Sequence, residues 1–427
     1  MRGLVKLTLA AALMPVIGCG TAKPIRSLTH ASVLAKAGLS SYWEAQLQLL
    51  EDEQIDRMWL REENLYCLTS ENALIAVDAA RGVRKWAVQV APTGVKVFPP
   101  SHGTNVSMKE QIPDVREVVT LAAPETMGQF DVVFINTPNY ALALDRATGQ
   151  QRRKIDFTRQ PDQFVASTGG SCDGTFYYVG GLDGACRAYR VNEDVIAWRM
   201  ATEDVLSSSP QCRKMGEDWR VFVVGEDGNY YVASAGDLLS RIWPPDESRS
   251  WPAMAGPARM EFHVDDRACF VACAKRRVYA FPLGGGAPIW RFTCDGALSD
   301  PLQVSENTVF QYARGDKLYA VNPTNGQLRW AMPRGTRVLA AMVEDDAPTA
   351  YIVDNADNLL VVDEILGTVR ASMPLTGCGV FADNTSAPAI YVGSRTGDLY
   401  CLRQIGAAHL TADILKGIKP KPEKAGK

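Results

Sequence analysis

The chain has 427 residues, of which 46% are hydrophobic and 22% charged, and its formal net charge is −3. This balance is typical of a folded globular protein and argues against a nucleic-acid-binding protein, which needs a basic face. The 35 glycines and 24 prolines favour a β-rich fold with many tight connections.

Residues 1–18 have the pattern of an export signal. Arg2 and Lys6 supply a positive start, and the apolar stretch that follows is too short to span a membrane. The four residues that end at Cys19 (VIGC) resemble a bacterial lipobox, which implies cleavage before Cys19 and a lipid on its thiol. The alternative is an ordinary signal peptide followed by an incidental cysteine.

The residue after the cysteine bears on the destination. An aspartate at that position would resemble the signal for retention at the inner membrane, and here the residue is Gly20. The resemblance therefore implies a protein anchored at the outer membrane, facing the periplasm or the cell surface. Residues 19–40 are expected to form a linker.

The segment 41–49 (SYWEAQLQL) admits two structures. Its Glu, Ala, Gln and Leu residues favour a helix. The alternation of Trp43, Ala45 and Leu47 instead favours a strand with one apolar face. The repeat in the rest of the chain decides between them.

A 13-residue motif recurs along the chain, as in LYAVNPTNGQLRW at 318–330. A strand ends in Asp or Asn, whose side chain can cap the following turn, and a glycine then supplies left-handed backbone. A tryptophan on the returning strand is a flat apolar body that can wedge against the next unit. The tryptophans of this column are Trp86, Trp198, Trp243, Trp290 and Trp330. The turn glycines are Gly82, Gly149, Gly286, Gly326 and Gly367.

The spacing of the column predicts the architecture. With Arg153 and Ala371 taking the place of tryptophan in two copies, successive positions lie 40 to 47 residues apart, apart from one step of 67. Another strand and turn precede each motif, so each unit is a meander of about four strands, which is the size of a propeller blade. The absence of any Trp-Asp dipeptide argues against a WD40 propeller. The long step contains 101–129, which is expected to be an inserted loop on one face.

The two ends of the chain complement each other. After Ala371 an eighth unit has three strands, ends near Arg403 and lacks its outer strand. Trp43 lies 43 residues before Trp86, one blade away, so its strand is expected to complete the eighth blade and remove the exposed strand edges. The sequence thus predicts an all-β, eight-bladed β-propeller of four-stranded antiparallel blades over 41–403.

The Lys/Pro-rich tail 404–427 is expected to be disordered and solubilising; contact with anionic lipid or an acidic partner is the alternative.

The motif resembles the PQQ-like propeller repeat, whose consensus is close to LYALDxxTGxxxW. A lipidated propeller of this size is similar to the BamB-type lipoproteins of the outer-membrane β-barrel assembly machinery. That resemblance implies a monomeric, non-catalytic scaffold whose face loops dock onto a protein partner. The insertion 101–129 has no recognised counterpart in that family, so a surface-anchored binding propeller with a different partner is the second hypothesis.

A quinone-dependent dehydrogenase is the third hypothesis, and the sequence argues against it. Such enzymes hold the quinone and calcium over the axis, and those of the methanol-dehydrogenase type stack the quinone on a disulfide between adjacent cysteines. This chain has no Cys-Cys pair, no CxxC among the nine cysteines after Cys19, and four dispersed histidines. The sequence therefore nominates no catalytic, cofactor-binding or metal-ligating residue.

Lipid anchoring makes a direct prediction. Cys19→Ala removes the thiol that would carry the acyl chains, so the protein should move from the membrane to the soluble fraction. Cell fractionation followed by immunoblotting measures this, with Cys212→Ala as the matched control that stays in the membrane fraction. Membrane retention of Cys19→Ala would reject the lipid anchor.

Overall fold

The computed structural model describes residues 28–109, 127–159, 161–244, 254–344 and 347–417. Within those ranges, none of the helices is long and apolar enough to span a membrane. Cys19 lies outside the described residues, so its lipidation stays a prediction.

Eight antiparallel sheets follow one another along the chain, and each is one blade. Helix α1 (Ala31–Lys36) and strand β1 (Leu39–Gln46) come first. Blade 1 contains β2 (Ile55–Arg61), β3 (Asn64–Thr69), β4 (Ala73–Asp78) and β5 (Arg84–Gln89). Blade 2 contains β6 (Ser101–Lys109), β7 (Met127–Asn136), β8 (Tyr140–Asp145) and β9 (Gln151–Asp156). Blade 3 contains β10 (Ala166–Cys172), β11 (Phe176–Gly181), β12 (Ala185–Arg190) and β13 (Val195–Ala201). Blade 4 contains β14 (Gln211–Met215), β15 (Asp218–Val224), β16 (Tyr230–Ser234) and β17 (Ser240–Trp243).

The second half of the ring repeats this order, with one first strand split in two. Blade 5 contains β18 (His263–Val264), β19 (Cys269–Cys273), β20 (Arg277–Phe281) and β21 (Trp290–Thr293). Blade 6 contains β22 (Ala297–Leu298), β23 (Gln303–Val304), β24 (Val309–Arg314), β25 (Leu318–Val321) and β26 (Leu328–Met332), and both β22 and β23 pair with β24. Blade 7 contains β27 (Gly335–Glu344), β28 (Ala347–Asp354), β29 (Asn358–Asp363) and β30 (Val369–Pro374). The last segments are β31 (Val380–Ala382), β32 (Ile390–Gly393), β33 (Asp398–Gln404) and helix α2 (Ala412–Leu415).

The middle strands of each blade are buried on both faces, because a neighbouring blade packs on each side. All six residues of β3 (NLYCLT) and of β11 (FYYVGG) are buried, so both faces of these strands are covered. Aromatic rings join adjacent blades: Phe134 of blade 2 stacks on Tyr177 of blade 3 with ring centroids 4.5 Å apart. The apolar core is therefore a series of layers between blades.

The eighth blade confirms the predicted closure of the ring. Its sheet has the order β1-β33-β32-β31, so the N-terminal strand is the outer strand of the last blade. Trp43 pairs with Cys401 and Gln46 with Asp398 in an antiparallel ladder. Residues 41–49 therefore open with a strand and not with a helix, and the predicted eight-bladed fold is confirmed.

The tryptophans dock each blade onto the next. The indole Nε1 groups donate to turn carbonyl oxygens of the following blade: Trp43 to Ala79 (2.9 Å), Trp86 to Arg146 (3.0 Å), Trp198 to Gly236 (2.9 Å), Trp290 to Pro323 (2.8 Å) and Trp330 to Glu364 (2.9 Å). The rings also lie against turn glycines, and a Cβ added to Gly82 would be 2.6 Å from Cε3 of Trp43. In blade 5 the glycine beneath Trp243 is Gly285, next to the predicted turn glycine Gly286. Trp43 thus makes the same contact across the closure as the other tryptophans make within the ring.

Three predicted boundaries need correction. The predicted linker 19–40 contains α1 and the start of β1, and Leu28, Leu34 and Leu39 are buried against blades 7 and 8. The tail 404–427 is not disordered throughout: Gln404 ends β33, and Leu410 and Leu415 are buried in the apolar cluster between blades 8 and 1. Both ends of the chain carry apolar side chains that cover the closure.

The insertion 101–129 is a loop only in part. Ser101–Lys109 and Met127–Asn136 are the first two strands of blade 2 and pair with each other from Ser101–Phe134 to Lys109–Met127. Ser101–Lys109 is mostly polar (SHGTNVSMK), so the sequence by itself predicts a loop there. The connection 110–126 lies outside the described residues.

The contact between Trp43 and Gly82 can be tested with a single methyl group. Gly82→Ala puts a Cβ into the indole at a position with φ +70°, whereas Gly315→Ala meets nothing within 4 Å at φ +72°. Both variants share the backbone strain, and Gly82→Ala should lose about 1–3 kcal/mol more of the free energy of unfolding because of overpacking. Urea titrations of the two variants measure the difference. Equal losses would contradict the role assigned to Trp43 in closing the ring.

Candidate functional site: the central channel and the lower face

The residues that the sequence singled out lie in the blade-to-blade contacts. The six predicted tryptophans are on the outer strands of blades 8, 1, 3, 4, 5 and 6, and the five glycines are in turns between third and fourth strands. None of them lines the central channel as the structure describes it. The repeat therefore accounts for the ring and leaves the channel and the loops as candidate sites.

The two faces of the ring carry different segments. We call lower face the side with the turns between first and second strands, such as Glu62–Glu63, and between third and fourth strands, such as 79–83. The connection 110–126 joins a first to a second strand and therefore leaves from this face. The backbone N–H of Ile405 donates to the carbonyl of Gly38 (3.0 Å), so both chain ends also meet there. The upper face carries the connections between blades.

The central channel is a cavity of about 600 Å³. First strands from all around the ring, and the segments that lead into them, line it. Four of its lining side chains carry charges of opposite sign: Arg61, Glu261, Arg337 and Asp383. This polar lining distinguishes the channel from the apolar layers between blades.

Hydrogen bonds fix the charged groups of the channel. The Arg61 guanidinium donates from Nε to the carbonyl of Pro100 (3.0 Å) and from Nη1 to the carbonyl of Leu60 (2.9 Å). Glu261 accepts from the backbone N–H (2.9 Å) and the hydroxyl (2.7 Å) of Ser209. Burial lowers the pKa of Arg61 and raises the pKa of Glu261, and Arg61 stays a cation at neutral pH.

This donor set does not fit a quinone held by calcium. Such an ion needs several carboxylate or amide oxygens free to coordinate it. Among the side chains that line the channel, Glu261 is the one carboxylate outside an ion pair, because Asp383 pairs with Nε of Arg337 at 2.6 Å. The amide oxygen of Asn384 accepts from the backbone of its own loop.

A second polar cluster joins blades 1 and 2 at the lower face. Glu62, Glu63 and His102 offer ligand atoms within 4.8 Å of one another, which raises the possibility of a metal site. The Nη1 atom of Arg146 lies among them, 2.8 Å from Glu62 Oε2, 2.8 Å from His102 Nδ1 and 3.7 Å from Glu63. Its Nη2 atom is 3.1 Å from Asp131. Arg146 already supplies the positive charge between these ligands, so the cluster fits an ion-pair network.

The network holds its groups in defined protonation states. Burial lowers the pKa of His102, whose ring is therefore neutral at pH 7, with Nδ1 facing Arg146 and Nε2 2.9 Å from the Tyr66 hydroxyl. The contacts with His102 and with the Arg146 guanidinium lower the pKa of Glu62 to about 2. Glu62 is thus ionised under all physiological conditions.

A cavity of about 340 Å³ adjoins this cluster at the lower face. Its lining includes Lys85 of blade 1 and Asn105, Phe130 and Asp131 at the base of the β6–β7 hairpin. This cavity is therefore next to the segment 110–126 in the chain.

Sequence reasoning missed these polar groups. Glu62 and Glu63 form an acidic pair in a tight turn, which is a weak signal because turns are commonly charged. Arg61 and Glu261 are 200 positions apart, and His102 and Arg146 belong to a different blade from Glu62. No local spacing could indicate these contacts, since the ring brings them together.

Comparison with known proteins supports the fold. A family model described as outer membrane protein assembly factor BamB matches residues 235–404, which cover the last strand of blade 4, blades 5 to 7 and three of the four strands of blade 8. BamB from Moraxella catarrhalis has a similar structure, with 14% identity, a TM-score of 0.56 and coverage of 87% of this chain and 99% of that one. The computationally designed protein Ika8 is similar to the same degree, with 9% identity, a TM-score of 0.56 and coverage of 85% and 99%. No curated protein sequence matches the chain.

The chain is accordingly an eight-bladed β-propeller whose fold is similar to that of BamB. A designed protein matches the chain with the same TM-score as a natural one. The structural similarity therefore shows the fold and does not identify a binding partner.

The lowered pKa of Glu62 predicts a pH-dependent stability. Glu62 stabilises the folded state above its ordinary pKa of 4.5, and this contribution is lost as the pH falls from about 4.5 to about 2. Glu62→Gln should therefore be less stable than the wild type at pH 7, with a difference that shrinks across that window. Urea midpoints at pH 7 and through the window measure this.

Glu51→Gln is the matched control, since Glu51 is an exposed glutamate outside the cluster. A Glu62→Gln difference that stays constant with pH would contradict the ion-pair network.

Proposed function

We propose that this protein is a non-catalytic scaffold that binds another protein through the loops of its lower face. A lipid on Cys19 holds it at the outer membrane, facing the periplasm. The partner is a subunit of the β-barrel assembly machinery. The similarity of blades 5 to 8 to the BamB family model and the match to the BamB structure support this assignment.

The β6–β7 hairpin is the observation that carries the proposal. β8 pairs with β7 only over 132–136, so residues 105–109 and 127–131 form a two-stranded ribbon that extends past the third strand. Every other connection between a first and a second strand is much shorter in the sequence. The ribbon gives the lower face a feature that the repeat does not require.

The ribbon is braced from both sides. Ser107 donates its N–H to the carbonyl of Gly174 in blade 3 (3.1 Å), and Val106 and Met108 are fully buried. The Arg152 guanidinium lies over the Phe130 ring, 4.8 Å from its centroid. A base held this firmly presents the connection 110–126 from a fixed position, which reduces the entropy cost of binding.

The anchor is compatible with this use of the lower face. Leu28 is nine positions after Cys19, so the chain between them spans at most about 30 Å. A lipid on Cys19 would keep the lower face within that distance of the membrane. A partner embedded in the same membrane is then within reach of the loops.

A scaffold with a different partner is the second candidate. The insertion favours it, because the BamB family model does not cover the first three blades, where the insertion lies. In that case the segment 110–126 is the recognition loop for a protein outside the β-barrel assembly machinery.

The segment 110–126 provides the test. Replacing it with a short Gly/Ser turn should remove the crosslinks that the wild type forms in native membranes, because the docking loop is gone. Crosslinking followed by mass spectrometry identifies the partner. Recovery of a β-barrel assembly subunit by the wild type supports the first candidate, and loss of a different protein supports the second.

The matched control replaces 245–253, which lies in the sequence between β17 of blade 4 and β18 of blade 5, with a linker of equal length. Its crosslinks should equal those of the wild type. If the control variant lost the partner and the lower-face variant retained it, the proposed docking face would be wrong.

A further inference from the structure

The charged side chains of the central channel suggest that the channel binds a ligand. Arg337 and Asp383 neutralise each other by direct contact at 2.6 Å. Within the described residues neither Arg61 nor Glu261 forms a direct ion pair, although the two charges interact with each other across the channel. We propose that the channel binds a short peptide with free termini, its carboxylate on Arg61 and its ammonium on Glu261. This site is separate from the protein-docking loops of the proposed function.

Arg61 is preorganised as a carboxylate receptor. Two carbonyl oxygens hold Nε and Nη1 of its guanidinium, which fixes the plane of the group. Its Nη2 atom donates to no described residue, although a guanidinium has five N–H donors. A carboxylate is the partner that matches this planar fork, and the side chain is partly exposed to the channel.

Glu261 is preorganised for a cation. Ser209 donates one hydrogen bond to each carboxylate oxygen, so the group is oriented while each oxygen keeps a second lone pair. The side chain lines the same cavity as Arg61. An ammonium group can donate to the remaining lone pairs of these oxygens, because it has three N–H donors and no acceptor.

The positions of the two groups select a ligand that carries both charges. Arg61 belongs to blade 1 and Glu261 leads into blade 5, and in an eight-bladed ring these blades are opposite each other. A simple anion at Arg61 would be repelled by Glu261, whereas a zwitterion with separated charges satisfies both. The cavity of about 600 Å³ has the size of a small-ligand site, and Trp59, Phe262 and Leu302 offer apolar contacts for side chains.

Alanine peptides test the inference by isothermal titration calorimetry. A series from dialanine to tetraalanine varies the distance between the terminal charges by about 3.5 Å per residue. The best member should bind the wild type, and its C-terminal amide and its N-acetyl form should each bind at least about tenfold more weakly, because each loses a charge-assisted hydrogen bond.

Variants then assign each terminus to its side chain. Arg61→Gln should bind the free peptide more weakly by a similar factor. Amidation of the peptide should then cause no further loss of affinity. Glu261→Gln should bind the N-acetyl peptide and the free peptide with equal affinity. The double variant Arg190→Gln/Asp237→Asn removes an ion pair that does not line the channel and should bind all forms as the wild type does.

Three results would overturn the site: no binding of any peptide at millimolar concentration, equal affinity for free and blocked peptides, or unchanged binding by both single variants. The blocked peptides test the wild type directly, so the inference stays falsifiable if Arg61→Gln does not fold. Arg61→Lys, which keeps the charge, should then retain part of the affinity.

Discussion

The antiparallel ladder between β1 and β33 joins the two ends of the chain in one sheet, and the remaining blades depend on it. Without this pairing the first and last blades would each expose an edge, and the layers between blades 8 and 1 would lose their cover. The chain reinforces the closure at both ends, with the residues around α1 on one side and Leu410 and Leu415 on the other. The repeated tryptophan contact then carries the same geometry around the ring, since each indole both fills a gap over a turn glycine and bonds a turn carbonyl.

The residues of the repeat form the contacts between blades. Chemistry and recognition therefore depend on side chains that the repeat does not specify. At the lower face, Arg146 is surrounded by Glu62, Glu63, Asp131 and His102 and ties blade 2 to blade 1 beside the extended hairpin. In the channel, hydrogen bonds orient Arg61 and Glu261 without neutralising them. One cluster stabilises the base of a loop, and the other leaves two opposite charges facing a cavity. This contrast separates a structural ion-pair network from a candidate binding site.

The sequence predicted the fold class, the number of blades and the closure, because each of these has a local signature that repeats. The Asp at the end of a third strand, for example, caps its turn as expected: Asp78 Oδ1 accepts from the backbone N–H groups of Ala80 and Arg81, both at 3.0 Å. Boundaries without such a signature were wrong. The sequence predicts a loop at the polar strand Ser101–Lys109, and a linker and a disordered tail at the ends of the chain. The order of these segments comes from pairing and packing that no local pattern indicates.

The sequence by itself therefore determined an eight-bladed ring and the place of Trp43 in it, because period, turn chemistry and strand pattern are local properties. Only the tertiary structure decided which side chains meet in the channel and at the lower face. Arg61 and Glu261 are brought together by the curvature of the whole ring, and Arg146 reaches Glu62 across a blade boundary. Contacts between residues so far apart along the chain leave no spacing to read, so they appear only when the blades are in place.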